Sequence, residues 1–189
     1  MLVVETSDPE ETEALGAKLA VDLRPGDVVL VRGELGSGKT TLVRGAARGL
    51  GVSDPVTSPT FGIGHRYSGA EVTVAHLDLY RLAGLAQEDP GLLEDYLGAE
   101  RIAFVEWPEV GEAQFGAPAM RITLTHAGGD RRRIEVCDLR GSRAGHGDEA
   151  HGSRADCGGE SRGSQADRGG ESQGPRAGRG GDLPKDAGA

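Results

Sequence analysis

Apolar residues fall along this chain in short runs with two different spacings. Leu2 to Thr6, Asp27 to Arg32, Arg101 to Trp107, Met120 to His126 and Arg131 to Asp138 are rich in aliphatic and β-branched residues and have strand length. Phe61 to Tyr67 and Glu71 to Leu77 have the same character, and the short Ser68-Gly69-Ala70 link between them predicts a β-hairpin. A second hairpin is expected where Ala127-Gly128-Gly129-Asp130 joins the last two runs. Helical spacing appears in three places. Leu15, Leu19 and Leu23 mark one face of a helix from about Asp8 to Leu23, which starts at Ser7-Asp8-Pro9-Glu10 with an N-cap residue and a proline just inside. Thr41 to Leu50 repeats at helical spacing and stops at Gly51, and Leu92, Leu93, Tyr96 and Leu97 predict a short helix within the acidic stretch Gly84 to Glu100. Strands alternating with helices predict an α/β fold. Arg24-Pro25-Gly26 reads as a turn, and Val52 to Phe61, with two prolines and several short polar side chains, reads as an extended loop.

This patterning stops at Gly141. Residues 141–189 hold 14 of the 32 glycines, and their only large aliphatic residue is Leu183. The segment repeats with a period of 11, from GSRAGHGDEAH (141–151) to GPRAGRGGDLP (174–184). Its repeated residues are Gly, Ser, Arg, Asp and Glu, so a packed core is excluded and disorder is expected. Seven basic and eight acidic residues nearly cancel, which favours an inert tail over a nucleic-acid-binding one. Residues 1–140 are then one domain, long enough to bury roughly two thirds of its unfolded surface.

That domain carries 14 basic and 22 acidic residues, or −8, which argues against a broad basic face for nucleic acid and against DNA as a partner. The compact basic run Arg131-Arg132-Arg133 reads as a solvated strand end, with a contact to RNA or an acidic partner as the sharper alternative. No apolar run approaches membrane-spanning length and the N-terminus does not resemble a signal peptide, so a cytoplasmic protein is expected. Cys137 lies in a strand-like run and Cys157 in the tail, indicating neither a disulfide framework nor a metal cluster.

The chemistry centres on Gly33-Glu34-Leu35-Gly36-Ser37-Gly38-Lys39-Thr40, which spells GxxxxGK[ST], the phosphate-cradling loop. The strand-like run before it and the helical run after it supply the context this motif needs. Its glycines let successive backbone N–H groups turn toward an anion, and the helix that follows points its positive end at the same place. Lys39 would reach the β- and γ-phosphates, and the Thr40 hydroxyl would face Mg²⁺. The chain has 18 Arg but only 3 Lys, and Lys39 is the only one between Lys18 and Lys185. The expected fold is therefore a P-loop NTPase-like three-layer fold with a mixed central sheet.

Other candidates are placed relative to that loop. Asp78 directly follows a strand, where ligands collect in open α/β sheets, although an acid there is also a common cap residue. Glu106 ends a run suited to a buried central strand and occupies a Walker B-like position, which makes it a second Mg²⁺ candidate; a surface strand-end acid is the alternative. The hydroxyls of Thr57-Ser58-Pro59-Thr60 could face the γ-phosphate as a switch segment, or the stretch is a connector. Trp107 fits beside a nucleotide, in the core or on a partner surface, and His76 reads as a strand residue rather than a ligand.

Taken together, GELGSGKTT (33–41), TSPTF (57–61), HLDLYRL (76–82) and VEWPE (105–109) resemble the TsaE (YjeE) family, a group of small bacterial P-loop ATPases. The similarity spans roughly Val3 to Val136. It implies an ATP site formed by Glu34 to Thr41 with Thr60 from the switch-like loop, Mg²⁺ held by Thr40 and Glu106, and Lys39, Asp78 and Glu106 as catalytically important. It further implies a role in threonylcarbamoyladenosine formation at adenosine 37 of tRNAs reading codons that begin with A. The family acts on the complex of TsaB and TsaD, which transfers the group, and tRNA is met only through that complex. The absence of Asn removes the guanine-reading NKxD signature. A small-molecule phosphotransferase and a non-hydrolysing nucleotide-gated binding module are the competing readings.

Overall fold

The computed structural model describes residues 1–59, 62–82 and 91–142. The expectations for Thr60 and Phe61, for residues 83–90 and for the repeat segment from residue 143 onward lie outside the described residues.

Among the described residues the elements run β1 (Leu2–Thr6), α1 (Pro9–Ala20), β2 (Val28–Gly33), α2 (Lys39–Gly49), β3 (Gly64–Ser68), β4 (Thr73–Asp78), α3 (Gly91–Glu94), β5 (Arg101–Glu106), β6 (Met120–His126) and β7 (Arg132–Asp138). The seven strands make one mixed sheet in the order β1-β7-β6-β2-β5-β4-β3. Neighbours pair in parallel from β6 through β2 and β5 to β4. The flanking β1–β7, β7–β6 and β4–β3 pairs are antiparallel.

Strand alternation creates two apolar layers. In β2, Val29 and Val31 face a core that holds Leu42, Val43, Ala46 and Ala47 of α2, while Val28 and Leu30 face Leu93 of α3 and Phe115. In β5, Ile102 and Phe104 join the first core, and Ala103 and Val105 the second. Strands buried on both faces lose the polar half of their alternation, which is why these two read as continuous apolar runs. The result is the three-layer arrangement expected.

Helix α1 begins as predicted, with Asp8 Oδ1 accepting from Glu11 N at 2.7 Å and Glu11 Oε2 accepting from Ser7 N at 2.8 Å. It ends at Ala20, short of the Leu23 expected, because Pro25 disfavours helical backbone at Arg24 and the chain must turn into β2. Its buried stripe also differs from the leucine face. Thr12, Gly16 and Ala20 are buried, whereas Leu15 and Leu19 lie partly exposed at the margin. The cause is a close helix crossing: a Cβ on Gly45 of α2 would lie 1.9 Å from Glu13 O, and one on Gly16 would lie 2.2 Å from Leu42 O. A leucine seam would hold the two backbones apart.

The first hairpin is shifted from its expected bounds. Gly69 N donates to Val72 O at 2.9 Å, so Glu71 and Val72 belong to the turn and β4 starts at Thr73.

Candidate functional site

The parallel strands β2, β5 and β4 deliver three groups to one edge of the sheet. The phosphate-loop sequence leaves β2 after Gly33, Glu106 ends β5, and Asp78 ends β4 in register with Glu106. This is the carboxyl edge at which open α/β sheets take ligands. A cleft of about 480 Å³ opens there, lined by the loop, by Ser58 and Pro59, and by Asp78, Tyr80, Glu106 and Trp107 among others.

The loop geometry follows from its glycines. Gly38 has φ 96° and forms the N-cap of α2 in a left-handed conformation that a side chain disfavours. At Gly33 a Cβ would lie 2.5 Å from Leu124 O and 2.6 Å from Ser37 Oγ, so only glycine lets the loop leave the sheet this closely. The first-turn N–H groups of α2 have no partner within the helix, and Lys39, Thr40 and Thr41 of that turn line the cleft. Helix α2 starts at Lys39, two residues before the predicted Thr41, because Gly38 provides the cap.

Lys39 is buried and its Nζ donates to Gly33 O at 2.8 Å and to Glu34 O at 2.9 Å. The ammonium also lies 4.0 Å from the centroid of the Trp107 ring, a cation–π distance. Burial holds its pKa below the ordinary lysine value of 10.5, opposed by the carboxylates of Glu106, Asp78 and Glu109. Trp107 reaches this position with φ 57°, a left-handed conformation uncommon for a bulky residue, and packs on Tyr80 with ring centroids 4.9 Å apart and planes tilted by 44°. Its backbone departs from the strand predicted through Trp107, since β5 stops at Glu106.

Thr40 Oγ1 donates to Glu106 Oε1 at 2.8 Å. The same oxygen lies 2.8 Å from His76 Nε2. Asp78 is held by the Ser58 hydroxyl on Oδ2 and by Tyr80 N on Oδ1 at 3.2 Å. The loop 52–59 thus brings Ser58 to the site, and Val56, buried in the core, anchors it there.

The residues predicted from sequence divide accordingly. Leu35, Gly36, Gly38, Lys39, Thr40 and Thr41 line the cleft with Asp78 and Glu106. Glu34 is exposed and contributes its carbonyl to Lys39, and Ser37 is buried with its Oγ unpartnered among the described residues. Thr60 lies outside the described residues.

Arg132, within the basic run that reads as a solvated strand end, donates through Nε to Ser37 O at 3.0 Å and through Nη2 to Gly36 O at 3.3 Å. Drawing these carbonyls outward turns the Gly38 N–H of the same peptide unit as Ser37 O toward the cleft. Its neighbours behave as expected of a strand end, Arg131 pairing with Glu5 and Arg133 with Glu135. His76, read as a strand residue, is fully buried beneath Glu106. A spacing of two from Asp78 on one strand was the available signal that both face the same side.

The family model described as "Threonylcarbamoyl adenosine biosynthesis protein TsaE" matches residues 6–134. The chain belongs to the TsaE family. The tRNA threonylcarbamoyladenosine biosynthesis protein TsaE of Bacillus subtilis is 39% identical over 129 residues, which cover 68% of this chain and 80% of that protein. Its counterpart in Streptomyces coelicolor is 42% identical over 118 residues, covering 61% and 80%. The crystal structure of YdiB from Bacillus subtilis superposes with a TM-score of 0.62 at 33% identity, covering 75% of this chain and 87% of that one. The TsaE match spans every element of the site and ends before the repeat segment. Among the described residues no helix is long and apolar enough to cross a membrane.

Proposed function

We propose that this chain binds and hydrolyses ATP in support of threonylcarbamoyladenosine formation in cytoplasmic tRNA, acting on a TsaB–TsaD complex rather than transferring the group itself. The observation that carries this reading is the Thr40–Glu106 hydrogen bond, which joins the first turn of the phosphate-loop helix to a buried carboxylate beside Asp78.

The site suits a nucleotide and Mg²⁺ on its own chemistry. Backbone N–H groups between Leu35 and Thr41 would surround the phosphates, and Lys39 would exchange the carbonyls of Gly33 and Glu34 for β- and γ-phosphate oxygens. Thr40 directs its proton to Glu106 and so keeps its lone pairs for a hard cation. Among the described residues no three His, Cys, Asp or Glu side chains group to hold a metal alone. Mg²⁺ matches that limit, because it binds through one or two protein oxygens and completes its shell with phosphate and water. Bound there, it would neutralise charge on the phosphates. Asp78 and Glu106 are the two candidates for orienting an attacking water, directly or through the metal.

Single-turnover ATP hydrolysis with TsaB and TsaD tests the reading. Release of inorganic phosphate that is lost in Asp78→Ala supports it. Transfer of the γ-phosphate to a small acceptor without partners would instead identify a phosphotransferase, and tight binding with no hydrolysis a nucleotide-gated binding module.

A further inference from the structure

We infer that His76 is a positioning residue, which fixes the Glu106 carboxylate in the orientation that Thr40 and a divalent cation need. The inference rests on the ATP and Mg²⁺ reading above and goes beyond it to a residue that does not itself line the cleft but touches Glu106, which does.

Three observations converge on the imidazole. It is fully buried on the α2 side of β4, where its strand neighbours in register are His65 of β3 and Phe104 of β5. Its Nε2 lies 2.8 Å from Glu106 Oε1, the same oxygen that accepts from Thr40. Its Nδ1 is buried with no hydrogen-bond partner among the described residues. A carboxylate only accepts, so Nε2 carries a proton and donates. Among the described residues the ring therefore has one polar attachment, and that attachment is Glu106.

The consequence is geometric. Glu106 is itself almost fully buried at the end of β5, where a carboxylate without donors is costly and tends to rotate toward any that are near. The adjacent donor is the Thr40 hydroxyl, on the first turn of α2. The donor on the sheet side is His76, held by backbone pairing to strands on both sides. With His76 in place, Oε1 stays at one point while Thr40 keeps its bond to it. Without His76 the carboxylate is free to turn about its side-chain torsions, and the oxygen pair that a cation would meet is no longer fixed. Groups that orient a metal-binding side chain in this way change metal affinity by about 10- to 100-fold when removed.

The arrangement separates two effects that a merely structural histidine would not. Phosphate contacts made by the loop and Lys39 are independent of His76, so ATP binding without metal should be unaffected. The dependence of binding on Mg²⁺ should shift.

The test is a titration of ATP affinity, by calorimetry, against Mg²⁺ for the full chain and for His76→Leu and His76→Gln, with EDTA as the metal-free reference. Gln places its amide nitrogen where Nε2 lies and preserves the donor. The expected result is a half-effect Mg²⁺ concentration raised about tenfold or more in His76→Leu and restored to within about threefold of the parent in His76→Gln. Affinity in EDTA is expected to match in all three. If His76→Leu does not fold, His76→Asn takes its place, since its amide is too short to reach Oε1. Equal Mg²⁺ dependence across the variants, or a loss in the Gln variant as large as in the apolar one, overturns the inference. A parent chain that shows no Mg²⁺-linked ATP binding at all overturns the ATP and Mg²⁺ reading itself.

Discussion

Thr40 of the phosphate-loop helix and Glu106 at the end of β5 are 66 residues apart in sequence and share a 2.8 Å hydrogen bond. The bond couples the phosphate-loop sequence to the strand end that carries the carboxylate. Thr40→Ala removes the hydroxyl and leaves the loop backbone in place. It should keep ATP binding in EDTA, lose the gain that Mg²⁺ gives, and lower partner-dependent hydrolysis by about 100-fold, equivalent to about 2.7 kcal/mol. Thr40→Ser keeps the hydroxyl and should stay within about threefold. Equal hydrolysis by the Ala variant and the parent would remove Thr40 from the site.

Lys39 gives a pH-dependent prediction. Burial lowers its pKa below 10.5, with Glu106, Asp78 and Glu109 pulling the other way. The folded chain therefore releases this proton before the unfolded chain does. Between the lowered value and 10.5 the unfolded state holds more protons, so this group's contribution to stability rises with pH through that window. Phosphate oxygens favour the charged lysine, so ATP binding should take up a proton in the same window and weaken as pH climbs through it. Calorimetry in buffers of different ionisation enthalpy should detect the uptake, and Lys39→Ala should abolish it. At ATP concentrations about a hundred times the dissociation constant the parent should gain about 2.7 kcal/mol of stability, and the Ala variant should not.

The α1–α2 crossing makes a sign prediction. Helix propensity alone would have Gly45→Ala stabilise α2 by about 1 kcal/mol. A Cβ at that position would lie 1.9 Å from Glu13 O, so the helices must separate. Overpacking of this kind costs about 1–3 kcal/mol, and a net loss is expected in urea denaturation. A more stable variant would contradict the close crossing.

Arg132 holds the carbonyls of Gly36 and Ser37 from outside the cleft. Arg132→Ala should weaken ATP binding about tenfold, or about 1.4 kcal/mol, by loosening the loop. Arg131→Ala and Arg133→Ala, whose side chains pair with Glu5 and Glu135, should leave it unchanged. A similar loss in all three would indicate a general effect of positive charge.

The fold was legible wherever local rules decide structure. The phosphate-loop motif fixed the strand, the turn and the helix, and β6 occupies the bounds its alternation predicts, because one face of it is buried and the other is not. What was not legible depended on contacts between distant segments. The buried stripe of α1 is Thr12, Gly16 and Ala20 because of glycines in α2, a fact that no periodicity within α1 reveals. Arg132 looked solvated because its partners in the phosphate loop, Gly36 and Ser37, lie about 95 residues earlier in the chain. His76 looked like strand filling because its polar partner among the described residues, Glu106, is on another strand. That Asp78, Glu106 and the loop meet at one edge was legible from sequence, since strand ends on a parallel sheet share an edge.

The most direct test of the account is multiple-turnover formation of threonylcarbamoyladenosine in a reconstituted reaction with TsaB, TsaD, tRNA, ATP and a preformed threonylcarbamoyl donor. With the threonylcarbamoyl donor supplied, Lys39→Ala and Glu106→Ala chains should fail to sustain turnover beyond about one modification per TsaB–TsaD complex, while the parent chain continues. Undiminished multiple turnover with either variant would contradict the claim that this site drives the modification.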